Sequence, residues 1–271
     1  MSSLDLIKSS TGAIGAFNVI HLEHAEAIVA GAEIAGLPTI LQVSENAVKF
    51  HGSLKPIGTA TLAIARPSSL PLSVHLDHSE SEELIREALD LGFDSVMFDG
   101  SKLSYADNVA ASARMAKLCK EYGATIEVEL GEIGGKDGVH APGVATKPSE
   151  AQSFVAETGV DLLAVAVGSS HAMRSKTAQL DFALISELAA AVPVPLVLHG
   201  SSGVSDPDLV LAVQAGMRKI NIATHLSQIF TAAVRETLTL NPDLVDSRKY
   251  LKPAREAMRD EVARLLQLLA H

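Results

Sequence analysis

The chain has 271 residues, is 47% hydrophobic and carries a formal net charge of −10. That is enough apolar material to bury a large core, and the acidic balance argues against a nucleic-acid partner while leaving room for a small anion at a local site. The first residues lack the basic and apolar regions of a signal peptide, and no uncharged apolar run reaches the ~18 residues of a transmembrane helix, so the expectation is a soluble cytoplasmic chain with no membrane partner. A single cysteine, Cys119, cannot form an internal disulfide, and its helical context reads as a buried structural thiol.

Strand-like and helix-like segments alternate along the whole chain. A first strand is predicted over 13–19, then a helix over 24–35 that stops at Gly36 with Pro38 beyond it. The second strand, 39–43, is followed by a helix over 57–65 stopping at Arg66-Pro67. The third strand, 72–76, runs into Asp77-His78, and a helix over 82–91 follows with Ser79 or Ser81 as its N-cap. Residues 94–98 read as the fourth strand, leading to a helix over 105–122 closed by Gly123, and 125–130 as the fifth. A glycine-rich loop, 131–147, precedes a helix opened by Pro148. Strands over 162–167, 195–198 and 219–222 complete the set, with helices over 182–191, 207–215, 224–240 and 253–269. Eight apolar strands, each followed by helix, imply a closed parallel (β/α)8 barrel of the TIM type with extra C-terminal helices, read as one domain over 1–271. An open doubly wound sheet is the weaker alternative, because no Gly-x-Gly-x-x-Gly turn follows the first strand.

In such a barrel the chemistry sits on the loops after the strands. His78, His171 and His199 follow strands three, six and seven, and three imidazoles in equivalent positions fit a catalytic divalent cation, most naturally Zn²⁺. A hydrogen-bonding role for three separate loop histidines is the alternative. Asp77 beside a candidate ligand reads as a general acid/base or as a carboxylate that orients a histidine. Glu127 and Glu129 project on one side of the fifth strand, where like charges need a cation or protonation; Asp99 and Glu129 are candidates for a second or alternate metal site or for structural hydrogen bonding. Gly200-Ser201-Ser202-Gly203 and Asn221-Ile222-Ala223-Thr224 precede the helices after strands seven and eight, a common phosphate position in these barrels. Of the remaining histidines, His75 is expected in the core and His24 on the surface.

The sequence resembles the class II, metal-dependent ketose-bisphosphate aldolases, the fructose- and tagatose-bisphosphate group. The likeness is carried by Gly15-Ala16-Phe17-Asn18-Val19, Leu41-Gln42-Val43-Ser44, His75-Leu76-Asp77-His78, Phe98-Asp99-Gly100-Ser101, the 127–135 segment, Val197-Leu198-His199-Gly200, residues 219–224 and 248–255. The resemblance implies that His78, His171 and His199 hold one Zn²⁺ per subunit and that Asp77 is the acid/base. It implies that the metal stabilises the enediolate of dihydroxyacetone phosphate, and that Asn221 orients it. Gly200, Ser201, Ser202, Ala223 and Thr224 would bind the phosphate together with Ala172 and Ile222, with a monovalent cation nearby, and Ser44 would meet the aldehyde half. A homodimer or homotetramer acting on a sugar phosphate is the corresponding expectation.

The departures from the family pattern fall on the partner-aldehyde side. The family's His-Gly-x-Tyr-Lys reads His171-Ala172-Met173-Arg174-Ser175, so Ala172 must donate the same N–H at negative φ or under strain. The loop motif Gly-x-Glu-Asp reads Gly135-Lys136-Asp137, leaving Asp137 in place of the loop acid or no acid at all. Ala223 and His225 stand where fructose-type members carry acids, Ala223 being closer to the tagatose type, and the basic position for a distal phosphate falls near Ser227. Either Arg174 compensates or the aldehyde carries no phosphate. A non-catalytic sugar-phosphate-binding barrel and a metal-dependent hydrolase are the competing functions; the hydrolase would want a His-x-His after strand one, and His21 and His24 are three apart.

Overall fold

The computed structural model describes residues 2–131 and 145–270. Eight strands, each parallel to its neighbours, close in sequence order: β1 (Ile14–Asn18), β2 (Thr39–Ser44), β3 (Leu72–Ser79), β4 (Ser95–Phe98), β5 (Thr125–Leu130), β6 (Leu162–Val165), β7 (Leu196–Leu198) and β8 (Met217–Ile222). The fold is the expected (β/α)8 barrel. Period-two alternation sends one set of side chains outward: Phe17, Leu41, Val74, Leu76, Val96, Val128, Leu163 and Ile220 belong to the large core beneath the helices. The inward set is apolar in the lower barrel, where Ile14, Ala16, Ile40, Met97, Leu162, Ala164 and Val197 cluster with Leu6 and Ile7. Higher up it turns polar, with Gln42, His75, Asp77, Glu127, Glu129, Lys219 and Asn221 all buried.

Leu6 and Ile7 come from α1 (Ser3–Ser9), a helix missed in the sequence. Its seven residues are too few for a periodic signal, but a capping box between Ser2 and Asp5 starts it. It closes the lower end, with the hydroxyls of Ser3 and Ser73 2.5 Å apart and Leu4 N–H on Thr125 Oγ1. Helix α2 (Leu22–Ala35) is followed by a second missed helix, α3 (Glu45–His51), which Ser44 caps through the Ala47 N–H; α4 (Leu54–Ala65) then completes the hairpin. The next six are α5 (Glu82–Leu91), α6 (Tyr105–Tyr122), α7 (Pro148–Thr158), α8 (Phe182–Ala191), α9 (Asp206–Ala215) and α10 (Thr224–Leu240). Helix α11 (Ser247–Leu269) starts before Pro253, which lies inside it rather than opening it. Cys119 is buried in α6, and burial pushes its thiol up to about 12, as suits a structural residue.

His24 is a correction. It was expected on the surface, yet it is 2% exposed, with its ring 4.8 Å from Phe230 of α10 and 4.7 Å from His21. Helix α2 packs against α11, and Phe230 of α10 lies over the side of its first turn that carries His24, while Leu22 on the other side stays exposed. Nδ1 accepts the Ile20 N–H, while Nε2 has no hydrogen-bond partner among the described residues. Burial, then the field of His21, lowers its pKa from 6.5 to about 4. The unfolded chain therefore takes up this proton first as pH falls. Stability present above pH 6.5 drains away towards pH 4. By pH 5 the loss is about 2 kcal/mol from this group. His24→Leu is expected to remove that part of the pH dependence, read as a smaller drop in the urea midpoint between pH 7.5 and pH 5; equal drops in both proteins would contradict it.

Candidate active site

Asp77 and His78 both reach the barrel mouth because β3 breaks its own alternation. Leu76 pairs with Val96 and Ser79 with Phe98, so three steps on β3 oppose two on β4, a bulge. His78 takes the extra position at φ +50°, a left-handed conformation that costs a residue with a side chain about 1–3 kcal/mol. Asp77 keeps its inward direction opposite Ser44 of β2, and the bulge swings His78 to the same side. His199 directly follows β7, and His171 lies in the segment between β6 and α8. The three rings meet, with centroids 4.6 Å (His78–His199), 4.8 Å (His78–His171) and 5.7 Å (His171–His199) apart.

Two of the rings are held from behind. His78 Nδ1 is 2.9 Å from Asp99 Oδ2, and Asp99 is itself fixed by the backbone and hydroxyl of Ser101. His199 Nε2 is 2.8 Å from Glu127 Oε1. A neutral imidazole that donates from one nitrogen turns a lone pair out at the other. His78 Nε2 and His199 Nδ1 therefore face each other at 2.9 Å. With both rings donating to their carboxylates, both of these nitrogens are acceptors, a pair that a cation between them would coordinate. Ligand atoms of His78, His171, His199 and Glu129 all lie within 4.8 Å of one another. Asp99 and Glu129 thus divide: Asp99 backs the far nitrogen of His78, and Glu129 is a fourth candidate ligand in the same group rather than half of a separate one. Imidazole and carboxylate donors with open positions suit a catalytic divalent ion.

Asp77 is 3% exposed and its carboxylate is gripped by two amides: Asn18 Nδ2 donates at 2.9 Å and Asn221 Nδ2 at 3.4 Å, while Gln42 fixes Asn18 through its own Nε2 at 2.7 Å. Burial works against the charge of Asp77, but the fields of His78, His199 and Lys219 and the bond from Asn18 outweigh it and hold the carboxyl below its usual range. A proton acceptor thus sits beside the metal candidate.

The two glycine- and serine-rich segments also meet. Gly200 (φ +67°) turns the chain after His199 into a single 3-10 turn, Ser201–Gly203. Ser201 Oγ donates to the Asn221 carbonyl, and Ser202 Oγ accepts the His225 N–H at 3.1 Å. The start of α10, where Ala223 offers no side-chain cap, opens onto the same cavity, so the helix dipole points where an anion would lie. His225, standing where the resemblance leads one to expect an acid, bonds Glu261 at 2.6 Å. Burial opposes the charge of Glu261, but bonds from Arg264 and His225 bring it down to about 2. Arg264 also grips Asp206, which pairs with Lys176. This chain of ion pairs ties α9, α10 and α11 to the segment that carries His171.

A family model described as fructose-bisphosphate aldolase class-II matches residues 2–271. The chain belongs to the class II fructose-bisphosphate aldolase family. A probable fructose-bisphosphate aldolase of Bacillus subtilis is 40% identical, the match covering 96% of this chain and 92% of that protein, and the fructose-bisphosphate aldolase of Thermus caldophilus is 38% identical over 94% and 92%. Among solved structures, the YdjI aldolase of Escherichia coli K12 superposes with a TM-score of 0.85 at 29% identity, covering 99% of this chain and 96% of the other. A putative fructose-1,6-biphosphate aldolase from Coccidioides immitis gives 0.88, also at 29% identity, with the same coverage. The protein is accordingly a carbon–carbon lyase of a metal-dependent family that binds sugar phosphates, and no helix among its described residues is long and apolar enough to cross a membrane.

The cavity brings together most residues expected from the sequence: Ser44, Asp77 and the three histidines, with Ala172, Gly200, Ser201, Ser202, Asn221, Ala223 and Thr224 around them. Ile222 is not among its lining residues; its side chain packs in the outer core. Gln42 and Asn46 also line the cavity and were not singled out. Asn46 is on α3, which carried no periodic signal, whereas Gln42, a lone amide among the apolar residues of β2, was visible. Lys136 and Asp137 lie outside the described residues.

Ala172 adopts φ +58°, the glycine-like conformation, rather than the negative φ available to it at lower cost. Left-handed alanine costs roughly 1–2 kcal/mol, partly offset in a glycine variant by the greater entropy of the unfolded chain. Ala172→Gly is expected to raise Tm by about 1–3 °C with turnover retained, and an unchanged or lower Tm would contradict the strain. Gly200→Ala should do the reverse. Its Cβ would lie 2.6 Å from the Ser170 backbone at a positive φ, so both Tm and turnover should fall, and wild-type values for both would refute the close approach.

Proposed function

We propose that the chain is a zinc-dependent aldolase that reversibly cleaves a ketose phosphate of the fructose- or tagatose-1,6-bisphosphate type to dihydroxyacetone phosphate and an aldehyde. The observation that carries the reading is the pair of imidazole nitrogens, His78 Nε2 and His199 Nδ1, facing each other at 2.9 Å beside Asp77. His78, His171 and His199 would hold the ion, with Glu129 in reach. A bound divalent cation supplies Lewis acidity to neighbouring carbonyl and hydroxyl oxygens, stabilising the negative charge that develops when the carbon–carbon bond breaks.

The side chains divide the remaining work. In cleavage the Asp77 carboxylate takes the proton from the C4 hydroxyl, and in condensation it returns one to the new alkoxide. Asn18 and Asn221 fix the direction of that carboxylate, and the Asn221 amide, set between Asp77 and His199 with its Oδ1 unpartnered among the described residues, would orient the substrate. The Gly200–Gly203 turn, Ala223 and Thr224 hold the donor phosphate by backbone N–H groups, with Ala172 closing the far side. Ser44 and Asn46, across the cavity, contact the aldehyde half. A monovalent cation near the phosphate and a dimeric or tetrameric assembly belong to the same reading. A second reading has an aldehyde without phosphate; among the described lining residues of the cavity there is no lysine or arginine, which favours it.

Chelator treatment is expected to abolish cleavage of fructose or tagatose 1,6-bisphosphate, zinc to restore it, and borohydride with substrate to have no effect. Activity in a metal-free preparation would sink the proposal. Asp77→Ala should lose at least ~10²–10⁴-fold in turnover with metal content unchanged, and retained turnover would remove Asp77 from its role. Screening phosphorylated against unphosphorylated aldehydes with dihydroxyacetone phosphate separates the two readings. Tight binding of a ketose phosphate with no turnover of any would indicate a sensor instead.

A further inference from the structure

Directly beneath the three histidines lies a second set of ionisable groups that the chemistry above does not use. Lys219 of β8, Glu127 of β5 and His75 of β3 are each 0% exposed. Lys219 Nζ sits 2.7 Å from Glu127 Oε2, and the other oxygen of the same carboxylate, Oε1, sits 2.8 Å from His199 Nε2. Glu127 therefore uses one oxygen on the ammonium and the other on the imidazole.

We propose that Lys219 is a positioning residue for the metal centre, holding Glu127 against His199 so that the ring presents Nδ1, and not Nε2, to the cation. The inference rests on the metal reading given above.

Glu127 has a choice of imidazoles, and Lys219 decides it. His75 Nε2 is 3.8 Å from Glu127 Oε2, the oxygen that Lys219 occupies, which is too long for a hydrogen bond. The other nitrogen of His75 is committed to Ser95 Oγ at 2.8 Å. Burial first, and then the neighbouring Lys219 ammonium, hold the His75 imidazole well below its ordinary pKa, so it does not compete as a cation for Glu127. With the ammonium taken away, the carboxylate is free to rotate towards His75 and to release His199.

The strand register supports the same role. Lys219 pairs with Val197 on β7, two residues before His199, so the ammonium is fixed to the strand that delivers the ligand. Glu127 reaches in from β5, three strands round the closed barrel from β8. The Lys219–Glu127–His199 series thus spans the interior and transmits the barrel's geometry to one nitrogen atom. Lysine is almost never fully buried unless paired, and an apolar side chain of similar volume would fill this space with less desolvation. An ammonium here is better explained by what it does to Glu127 than by packing.

The test uses the full chain, zinc and cobalt as probes, and two variants. Lys219→Met is expected to fold, judged by circular dichroism, yet to bind zinc about 10–100-fold more weakly in chelator competition and to show shifted visible bands when cobalt-loaded. Lys219→Met/Glu127→Gln removes the buried carboxylate along with the ammonium. It should also fold and bind weakly, because an amide oxygen accepts from His199 less strongly than a carboxylate. Wild-type zinc affinity and cobalt spectrum in a folded variant would overturn the proposal. A third arm needs no variant: ¹⁵N-histidine NMR of the zinc-loaded wild type should show His199 protonated at Nε2 and metal-bound at Nδ1, and coordination through Nε2 overturns the proposal whether or not the variants fold. A wild type that takes up no stoichiometric zinc would remove the metal reading itself. Stoichiometric zinc in the wild type with undiminished affinity in the variants would remove the role of Lys219 alone.

Discussion

His78 Nε2 and His199 Nδ1 face each other across 2.9 Å, and each ring is held by a carboxylate at its far nitrogen. The interior around them holds the carboxyl groups of Asp77, Asp99, Glu127 and Glu129, none more than 5% exposed, against the single buried ammonium of Lys219 among the described residues. Removing such groups from water is costly unless each is paired, and the barrel pairs Asp77 with Asn18 and Asn221, Asp99 with His78 and Ser101, and Glu127 with Lys219 and His199. A cation held by His78, His171 and His199 would add positive charge to this acidic mouth. The backing bonds from Asp99 and Glu127 then act as a frame, holding the ligands ready so that little reorganisation is needed when the ion binds.

That frame depends on backbone conformations that most residues avoid. His78 and Ala172 are the non-glycine residues at positive φ among those described, and both line the cavity. Gly200 is left-handed as well, packed so closely on Ser170 that no side chain fits. Strain is thus confined to the rim, where the bulge in β3 turns two consecutive residues to one side. The apolar lower barrel, α1 beneath it and the chain of side-chain bonds from His225 to Lys176 supply the rigidity that keeps those conformations in place.

The barrel was legible in the sequence because its strands are short apolar runs separated by helices with clear stops such as Gly36, Gly123 and the Arg66-Pro67 pair. The positions of His78, His171 and His199 were legible for a related reason: a polar residue that ends an apolar run stands out. What stayed hidden was geometry that local pattern does not encode. The bulge at His78 appears only once β3 is paired with β4, and the positive φ of Ala172 follows from closure of the loop, against the residue's own preference. His24 sits in a first helical turn that reads as surface, and is buried by α10, some 200 residues further along the chain. Lys219 had a visible signal, a charge alternating with Ile220, Asn221 and Ile222 at the end of β8, but its partner Glu127 lies on β5, and only the closed barrel brings the two together.

The central claim is that one divalent ion sits between His78, His171 and His199 and is gripped by His199 through Nδ1. Anomalous diffraction at the zinc absorption edge, on crystals grown with zinc, tests it most directly. The expected result is a single strong peak within coordination distance of His78 Nε2, His199 Nδ1 and a ring nitrogen of His171, with Asp99 and Glu127 still on the far nitrogens. A structure in which the three rings keep these positions around no metal at saturating zinc, or in which zinc binds elsewhere, would contradict it.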